Sequence, residues 1–325
     1  MTVSPPNICI ADLDAAASFL RAQSQILITT HINSDGDGIA GGLAMIGLLR
    51  QLGVQGQVLL QDVPPDGYAY LEGWNDIVAD TDTAPIRHDS AIVLDCPNLD
   101  RIGRVSQLLA ADATLLNIDH HHDNERFGAI NLTSDEVCST CEMIYHLAGH
   151  MQLEIDQVIA EQLYTGILFD TGGFRYSLTT PTSLEVGADL VRRGAQLDRI
   201  ADRLYNNNSF GSIKLIGRAI DSMLLHHEGR VATLCLTHEQ MQQGDPEAAV
   251  NYGLRIKGVE VSALFKEESV GHYRISLRSR ESVDVSAIAS VFSGGGHARA
   301  AGCRLLGDLD DVRDRMVTAI EQVLP

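Results

Sequence analysis

The sequence predicts an α/β protein: a mainly parallel sheet sandwiched by helices, followed by a second, smaller α/β domain. Three observations carry that expectation. Short runs of apolar and β-branched residues alternate with helix-spaced segments through the first half, the rhythm of βαβ units. A polar run at Asn206, Asn207, Asn208 and Ser209 interrupts the mostly helical stretch that follows. Beyond it the strand pattern restarts.

The elements follow in order. ILITT (26–30) is a short strand, and GIAGGLAMIGLLRQLG (38–53) has helical apolar spacing. QVLLQ, AIVLD (91–95) and TLLNID (114–119) read as further buried strands, with a helical pattern such as DRIGRVSQLLAAD between the last two. STCEMIYHLAGH and DQVIAEQLYTGILF read as later helices of the same domain. In the second half, RVATLCLT is a strand, HEQMQQ a short helix, VEVSALFKE and HYRISLRSR two strands, and DVSAIASVF a helix before the glycine-rich turn SGGGHARAAG. These elements place a first domain at 1–190, a helical linker at 191–220 and a second domain at 221–325.

Composition narrows the function classes. A chain of 325 residues, 45% hydrophobic and 21% charged, has room for two cores in an ordinary globular protein. A net charge of −19 opposes a broad grip on long duplex nucleic acid, while a local site can still take a small anion. The longest apolar run is too short for a bilayer, and the N-terminus has no secretory pattern. Six irregularly spaced cysteines do not form a disulfide framework, which points to a reducing cytoplasm. Cys138 and Cys141 have CxxC spacing but no second pair, so they read as structural.

The chemistry gathers where the early elements end. ILITT runs into His31, Asp35 and Asp37; AIVL into Asp95; TLLNI into Asp119, His120 and His121; GILF into Asp170. Ligands in open α/β sheets sit beyond the carboxyl ends of the strands. Several carboxylates in one place repel one another and need positive charge. Divalent metal supplies it, and carboxylate with imidazole suits two manganese ions, with magnesium, cobalt or zinc as alternatives. Asp95 is the candidate bridge between the two cations. His120 is a candidate ligand, Asp119 orients an imidazole, and His121 faces substrate as a proton donor or phosphate contact. His122 has no assigned task and is expected to be partly solvated.

At these residues the sequence resembles the DHH phosphoesterase superfamily. THINSDGDGIAGG, IVLDCPNLDRIG, NIDHHHDNERFGAINL and LYTGILFDTGGF are similar to its four motifs in order. RISLRSR, DVSAIASVF and FSGGGHARAAG resemble the substrate-binding domain that follows in one branch. The likeness covers almost the whole chain and is nearest to the short bacterial nano-RNases, oligoribonucleases that also act as phosphatases on 3′-phosphoadenosine 5′-phosphate (pAp). The resemblance implies metal ligands at His31, Asp35, Asp37, Asp95, His120 and Asp170, and a phosphate-contacting or acid role for His121. It implies nucleotide contacts from Arg278, from Gly295, Gly296 and His297, and from Arg299, with Ser139 and Thr140 meeting substrate at a helix start. Ser34 and Gly38 depart from the Pro and Ala usual in the first motif.

The expected substrate is a short RNA or a mononucleotide bisphosphate, with no long duplex and no membrane, and the expected assembly is a homodimer. Two other readings are carried: a pyrophosphatase or exopolyphosphatase on the same metal site, and a nucleotide-binding regulator without catalysis.

Overall fold

The branched apolar runs do form strands. After helix α1 (Ile10–Ala22) come β1 (Gln25–Thr30), α2 (Gly36–Gln51), β2 (Gln55–Leu60), β3 (Val78–Ala79), β4 (His88–Leu94), β5 (Leu109–Asp119) and β6 (Ile130–Thr133). They pair in the order β3-β2-β1-β4-β5-β6, every neighbouring pair parallel. Helices α3 (Thr140–His150), α4 (Gln157–Asp170), α5 (Pro181–Arg192) and α6 (Leu197–Tyr205) complete this part.

These observations come from a computed structural model that describes residues 8–79, 87–242, 244, 246–280 and 283–324, without the side chain of His297. The chain divides into two units, Met1–Asn207 and Asn208–Pro325.

Strand alternation builds two cores in the first unit. Ile26, Ile28, Ile92, Leu94, Leu116 and Ile118 face one side and pack with residues of α1, α2, α3 and α4. Leu27, Ala91, Val93 and Leu115 face the other, beneath Ile102, Val105 and Leu108. Burial on both faces is why these strands read as continuous apolar runs. The segment DRIGRVSQLLAAD departs from its helical pattern. It is 3-10 helical to Leu108, with a kink where Gly103 leaves helical space (φ 60°, ψ −135°), and Leu109 already begins the 11-residue β5.

The second unit opens with α7 (Phe210–Asp221), β7 (Leu224–His226), β8 (Val231–Leu236), α8 (His238–Met241) and α9 (Val250–Gly253). Then follow β9 (Val261–Ser269), β10 (His272–Ser279), α10 (Val285–Val291), β11 (Gly295–His297), β12 (Ala300–Leu306) and α11 (Leu309–Glu321). The sheet order is β11-β12-β10-β9-β8-β7, antiparallel except for β8–β9. The glycine-rich segment is therefore more than a turn. Gly295, Gly296 and His297 form an edge strand opposite Gly302, Ala301 and Ala300. Gly296 needs its glycine: its φ is +139°, and a Cβ there would lie 2.5 Å from the Ala300 carbonyl oxygen.

No helix among the described residues is long and apolar enough to cross a membrane. The six cysteines are free thiols, and Cys138 and Cys141 are buried.

Candidate metal centre

From β1 the chain moves to β2 and β3 on one side; from β4 it moves to β5 and β6 on the other. The connections diverge at the β1–β4 pair and open a crevice at the strands' carboxyl ends. His31 follows β1, and Asp95 follows β4 with a left-handed backbone, φ 53°, which Asp tolerates better than most residues. Asp119 ends β5, and His120 and His121 come next. Asp35 caps α2, accepting the N–H groups of Asp37 and Gly38 at 3.1 and 3.4 Å. Asp170 differs from the sequence expectation, because it is the last residue of helix α4 and not a strand end.

Six of these side chains converge. His31 Nε2 lies 3.7 Å from Asp35 Oδ2 and 3.5 Å from Asp95 Oδ2. His120 Nε2 lies 3.5 Å from Asp95 Oδ1 and 3.2 Å from Asp170 Oδ2. Ligand-capable atoms of His31, Asp35 and Asp95 fall within 4.8 Å of one another, as do those of Asp37, His120 and Asp170. Asp95 thus turns one oxygen to each imidazole.

The donor chemistry fits divalent cations. His31 Nδ1–H donates to the Ile32 carbonyl at 2.8 Å, which leaves Nε2 as a lone-pair atom in the neutral ring. A lone pair beside two carboxylates is repulsive unless a proton or a metal lies among them. Asp170 Oδ2 is buried without a hydrogen bond among the described residues. It also stands at the negative end of α4, where a carboxylate is disfavoured. Oxygen and imidazole donors together suit a divalent metal.

Without a cation the group holds protons. Burial, with the charge of Asp95 adding to it, brings the Asp37 carboxyl up to about 6. Burial and the Asp37 and Asp95 charges also raise Asp170 well above the usual range. Burial would raise Asp95 too, but the His120 and His31 imidazoles hold it well below. For the imidazoles burial opposes charge, and the carboxylates outweigh it: Asp35 and Asp95 raise His31 well above its ordinary value, and Asp95 lifts His120 to about 9. An entering cation must expel these protons. Its binding is therefore expected to release protons and to tighten as pH rises from about 6 to about 9. Calorimetry in buffers of different ionisation enthalpy measures this; an affinity flat across that window would contradict it.

Neighbouring groups hold the acids in place. Thr140 and Cys141 donate their backbone N–H groups to Asp37 at 2.6 and 3.0 Å, so the N-terminus of α3 faces this carboxylate. Thr140 Oγ1 donates to Asp95 Oδ1 at 3.3 Å, and Ser139 Oγ caps α3 by accepting the Glu142 N–H at 3.1 Å. Both residues are fully buried, which gives their hydroxyls a task in supporting the acids and the helix. His121 Nδ1–H donates to Asp119 Oδ1 at 2.7 Å, and Asn124 Nδ2 donates to Asp119 Oδ2 at 2.6 Å and to Asn117 Oδ1 at 2.8 Å. The sequence reading missed Asn117 and Asn124; the signal was a lone amide inside the apolar run TLLNID. His122 is exposed. The departures at Ser34 and Gly38 have local causes. Ser34 Oγ donates to the His31 carbonyl at 2.9 Å, and a Cβ on Gly38 would lie 2.3 Å from Thr30 Oγ1.

In the second unit, Arg278 on β10 and His297 on β11 both register with Ala300 of β12, so their backbones share one row of the sheet. The His297 side chain is outside the described residues. Arg278 donates to the Leu277 carbonyl at 3.0 Å and to Glu247 Oε1 at 3.5 Å. Arg299 is committed to backbone, donating to the Arg280 and Val283 carbonyls at 3.0 and 2.7 Å. Gly295 is exposed and Gly296 half-buried.

Glu247 also pairs with buried Lys266, and Ser276 Oγ joins the two. Burial alone would raise the Glu247 carboxyl; Lys266 and Arg278 bring it down to about 2. Its folded value lies below the unfolded one. The stabilisation is therefore present above about 4.5 and lost as pH falls through about 2. Glu247→Ala takes away the carboxylate that the buried Lys266 ammonium faces and is expected to cost about 3 kcal/mol, at the low end for a buried pair. Urea unfolding at neutral pH checks this, with the deficit shrinking in acid.

Comparison with known proteins gives the family. A model of the DHH family N-terminal domain matches residues 25–167, and a DHHA1 domain model matches residues 228–324. The bifunctional oligoribonuclease and PAP phosphatase NrnA of Thermus thermophilus is 30% identical over 311 residues, spanning 95% of this chain and 93% of that protein. The protein of the same name from Bacillus subtilis is 24% identical, spanning 91% and 93%. The crystal structure of an exopolyphosphatase-related protein from Bacteroides fragilis matches with a TM-score of 0.90 at 28% identity, over 98% of each chain. With both domains present in order and a full-length relative at this identity, the chain belongs to the DHH family of phosphoesterases.

Proposed function

We propose that this phosphoesterase hydrolyses short oligoribonucleotides to mononucleotides and removes the 3′-phosphate of pAp, with two manganese ions held by His31, Asp35, Asp37, Asp95, His120 and Asp170. The observation that carries the two-cation reading is Asp95, whose oxygens face His31 and His120 separately at 3.5 Å. The names of the Thermus and Bacillus relatives support the substrate class. Bound cations would supply charge against the phosphoryl oxygens and acidify a water molecule.

The side chains do the rest. His31, Asp35 and Asp95 would hold one cation, and Asp37, Asp95, His120 and Asp170 the other. Asp119 fixes the His121 ring through Nδ1, so proton delivery to the leaving oxygen falls to Nε2. Asn124 and Asn117 hold Asp119 in turn. Ser139 and Thr140 are assigned to the support of the carboxylates in preference to substrate. Arg278 offers paired N–H donors to a nucleotide phosphate, and the backbone of Gly295 and Gly296 lies in the neighbouring edge strand. Arg299 braces the turn that carries them. We place the enzyme in the cytoplasm, where free thiols persist.

The test is turnover with manganese on pAp, pyrophosphate, polyphosphate and RNAs of graded length. Release of mononucleotides from the shortest RNAs and of phosphate from pAp is expected. Turnover confined to pyrophosphate or polyphosphate would favour the reading that the Bacteroides protein's name suggests, and no turnover at all would favour a binding regulator. Arg278→Ala is expected to raise KM for pAp roughly tenfold or more, as loss of a charge-assisted contact does, while metal content stays unchanged. A fall in metal content would remove Arg278 from substrate binding.

A further inference from the structure

The second unit's sheet carries a row of three cations on one face. Lys266 of β9, Arg274 of β10 and Arg304 of β12 lie directly opposite one another across neighbouring strands, so their side chains leave the same face. Like charges set opposite each other are unfavourable. Arg278 projects from this face too, four residues further along β10.

Two carboxylates answer three of these cations. Glu247 pairs with Lys266 and with Arg278. Glu268 accepts Nε–H and Nη2–H of Arg304 at 3.1 and 3.3 Å. That carboxyl is held below its usual range by Arg304 and feels Arg274 more weakly. Arg274 is half-buried and makes no hydrogen bond or ion pair among the described residues. A guanidinium left so, between two other cations, favours an anion from outside, even on a chain whose net charge is −19.

The ground between Arg278 and Arg274 is nearly bare. Ser276, Gly302 and Gly295 form the intervening row, and the Ser276 hydroxyl is taken up by Glu247 at 3.0 Å. Gly302 is half-buried and Gly295 exposed, and a Cβ on Gly295 would meet nothing within 4 Å. The two arginines thus stand at the ends of a strip floored by glycine backbone. Four residues of antiparallel strand cover about 14 Å, the reach of two steps of an extended nucleotide chain.

We propose that Arg274 binds a second phosphate of a short RNA, two nucleotides along from the phosphate held by Arg278, and so reads substrate length. This rests on Arg278 as a nucleotide-phosphate contact. Beyond the phosphate it loses, pAp has one other, which Arg278 takes, and nothing is left for Arg274. A polyphosphate chain would crowd a charge onto every step of the strip, beside the Glu247 and Glu268 carboxylates.

Steady-state kinetics with manganese on pAp and on a 5′-phosphorylated RNA tetranucleotide test this. In Arg274→Ala the ratio of kcat/KM for the tetranucleotide to that for pAp should fall roughly tenfold, through KM, as on losing a charge-assisted contact. Arg274→Lys should restore most of it, because the charge remains. The salt dependence of the tetranucleotide KM should become shallower by about 0.7 in log–log slope, the share of one phosphate contact on a single strand. A residue that merely props the sheet would affect both substrates alike and leave that slope intact. An unmoved ratio in Arg274→Ala overturns the proposal, and so does a variant that loses inhibition by tripolyphosphate while keeping its tetranucleotide KM. If Arg278→Ala still weakens pAp binding in that case, the reading of Arg278 stands and only Arg274 is removed. Wild-type protein that turns over neither substrate ends both.

Discussion

Asp95→Asn is expected to lose nearly all turnover while keeping its fold. Asparagine retains one oxygen and turns an amide N–H₂ toward one of the two imidazoles. With the charge of Asp95 gone, the pull that keeps a proton on His31 weakens, and the neutral ring's Nε2 lone pair, left by the Nδ1–Ile32 hydrogen bond, accepts that amide's N–H. One negative charge also leaves a cluster in which Asp37 and Asp170 are already pushed up by their neighbours. The cation-free variant should therefore melt no lower than the parent. On the proposed two-cation reading, the metals would lose their shared ligand. Metal content by mass spectrometry of dialysed protein should fall from two per chain to one or none. Turnover should drop by more than the roughly 100-fold seen on losing an outer partner of a metal ligand. Near-normal activity with two metals bound would remove the bridge, and with it the two-cation reading.

Gly166→Ala is expected to damage both stability and the metal centre through a single methyl group. Gly166 lies in α4 where it passes α2 and α3. A Cβ there would stand 2.3 Å from Cys141 Sγ and 2.5 Å from Asp37 Oδ1. Both neighbours are fully buried, and Asp37 Oδ1 already accepts the Cys141 N–H. The helices must move apart or Asp37 must leave its place. Overpacking of this kind costs about 1–3 kcal/mol, and urea unfolding of the cation-free protein would measure it. The displacement of Asp37 should also weaken cation binding, seen as a smaller rise in melting temperature on adding manganese. Wild-type stability together with the full thermal response would show that α4 has slack at this point.

Much of the first unit could be read in the sequence because its strands are buried on both faces, so ILITT, AIVL and TLLNI stand out as uninterrupted apolar runs. The acids and imidazoles were legible for a related reason. Polar groups directly after such runs land in the crevice at the strand ends, whatever the intervening connections do. Asp170 arrives by another route, at the end of a helix, and was marked by its place after an apolar run and by the motif LYTGILFDTGGF. Features that depend on contacts across the fold were not legible. Gly103 kinks a segment whose amphipathic spacing favours one continuous helix. The GGGH segment reads as a turn because glycine is common in turns, yet pairing with β12 makes it a strand. Nothing in the spacing tells that the Ser139 and Thr140 hydroxyls turn inward, or that Glu247 reaches Arg278 from 31 positions away. Asn117 was visible as a misfit in an apolar strand, but its partner Asn124 was not.

The ordering of the ligands along the chain has a consequence for biosynthesis. His31, Asp35, Asp37, Asp95 and His120 leave the ribosome well before α4, which brings both Asp170 and the close-fitting Gly166. A nascent chain holds most of the donors but lacks the element that closes around Asp37. A chain made in this order completes its cluster of acids and imidazoles only when α4 has docked.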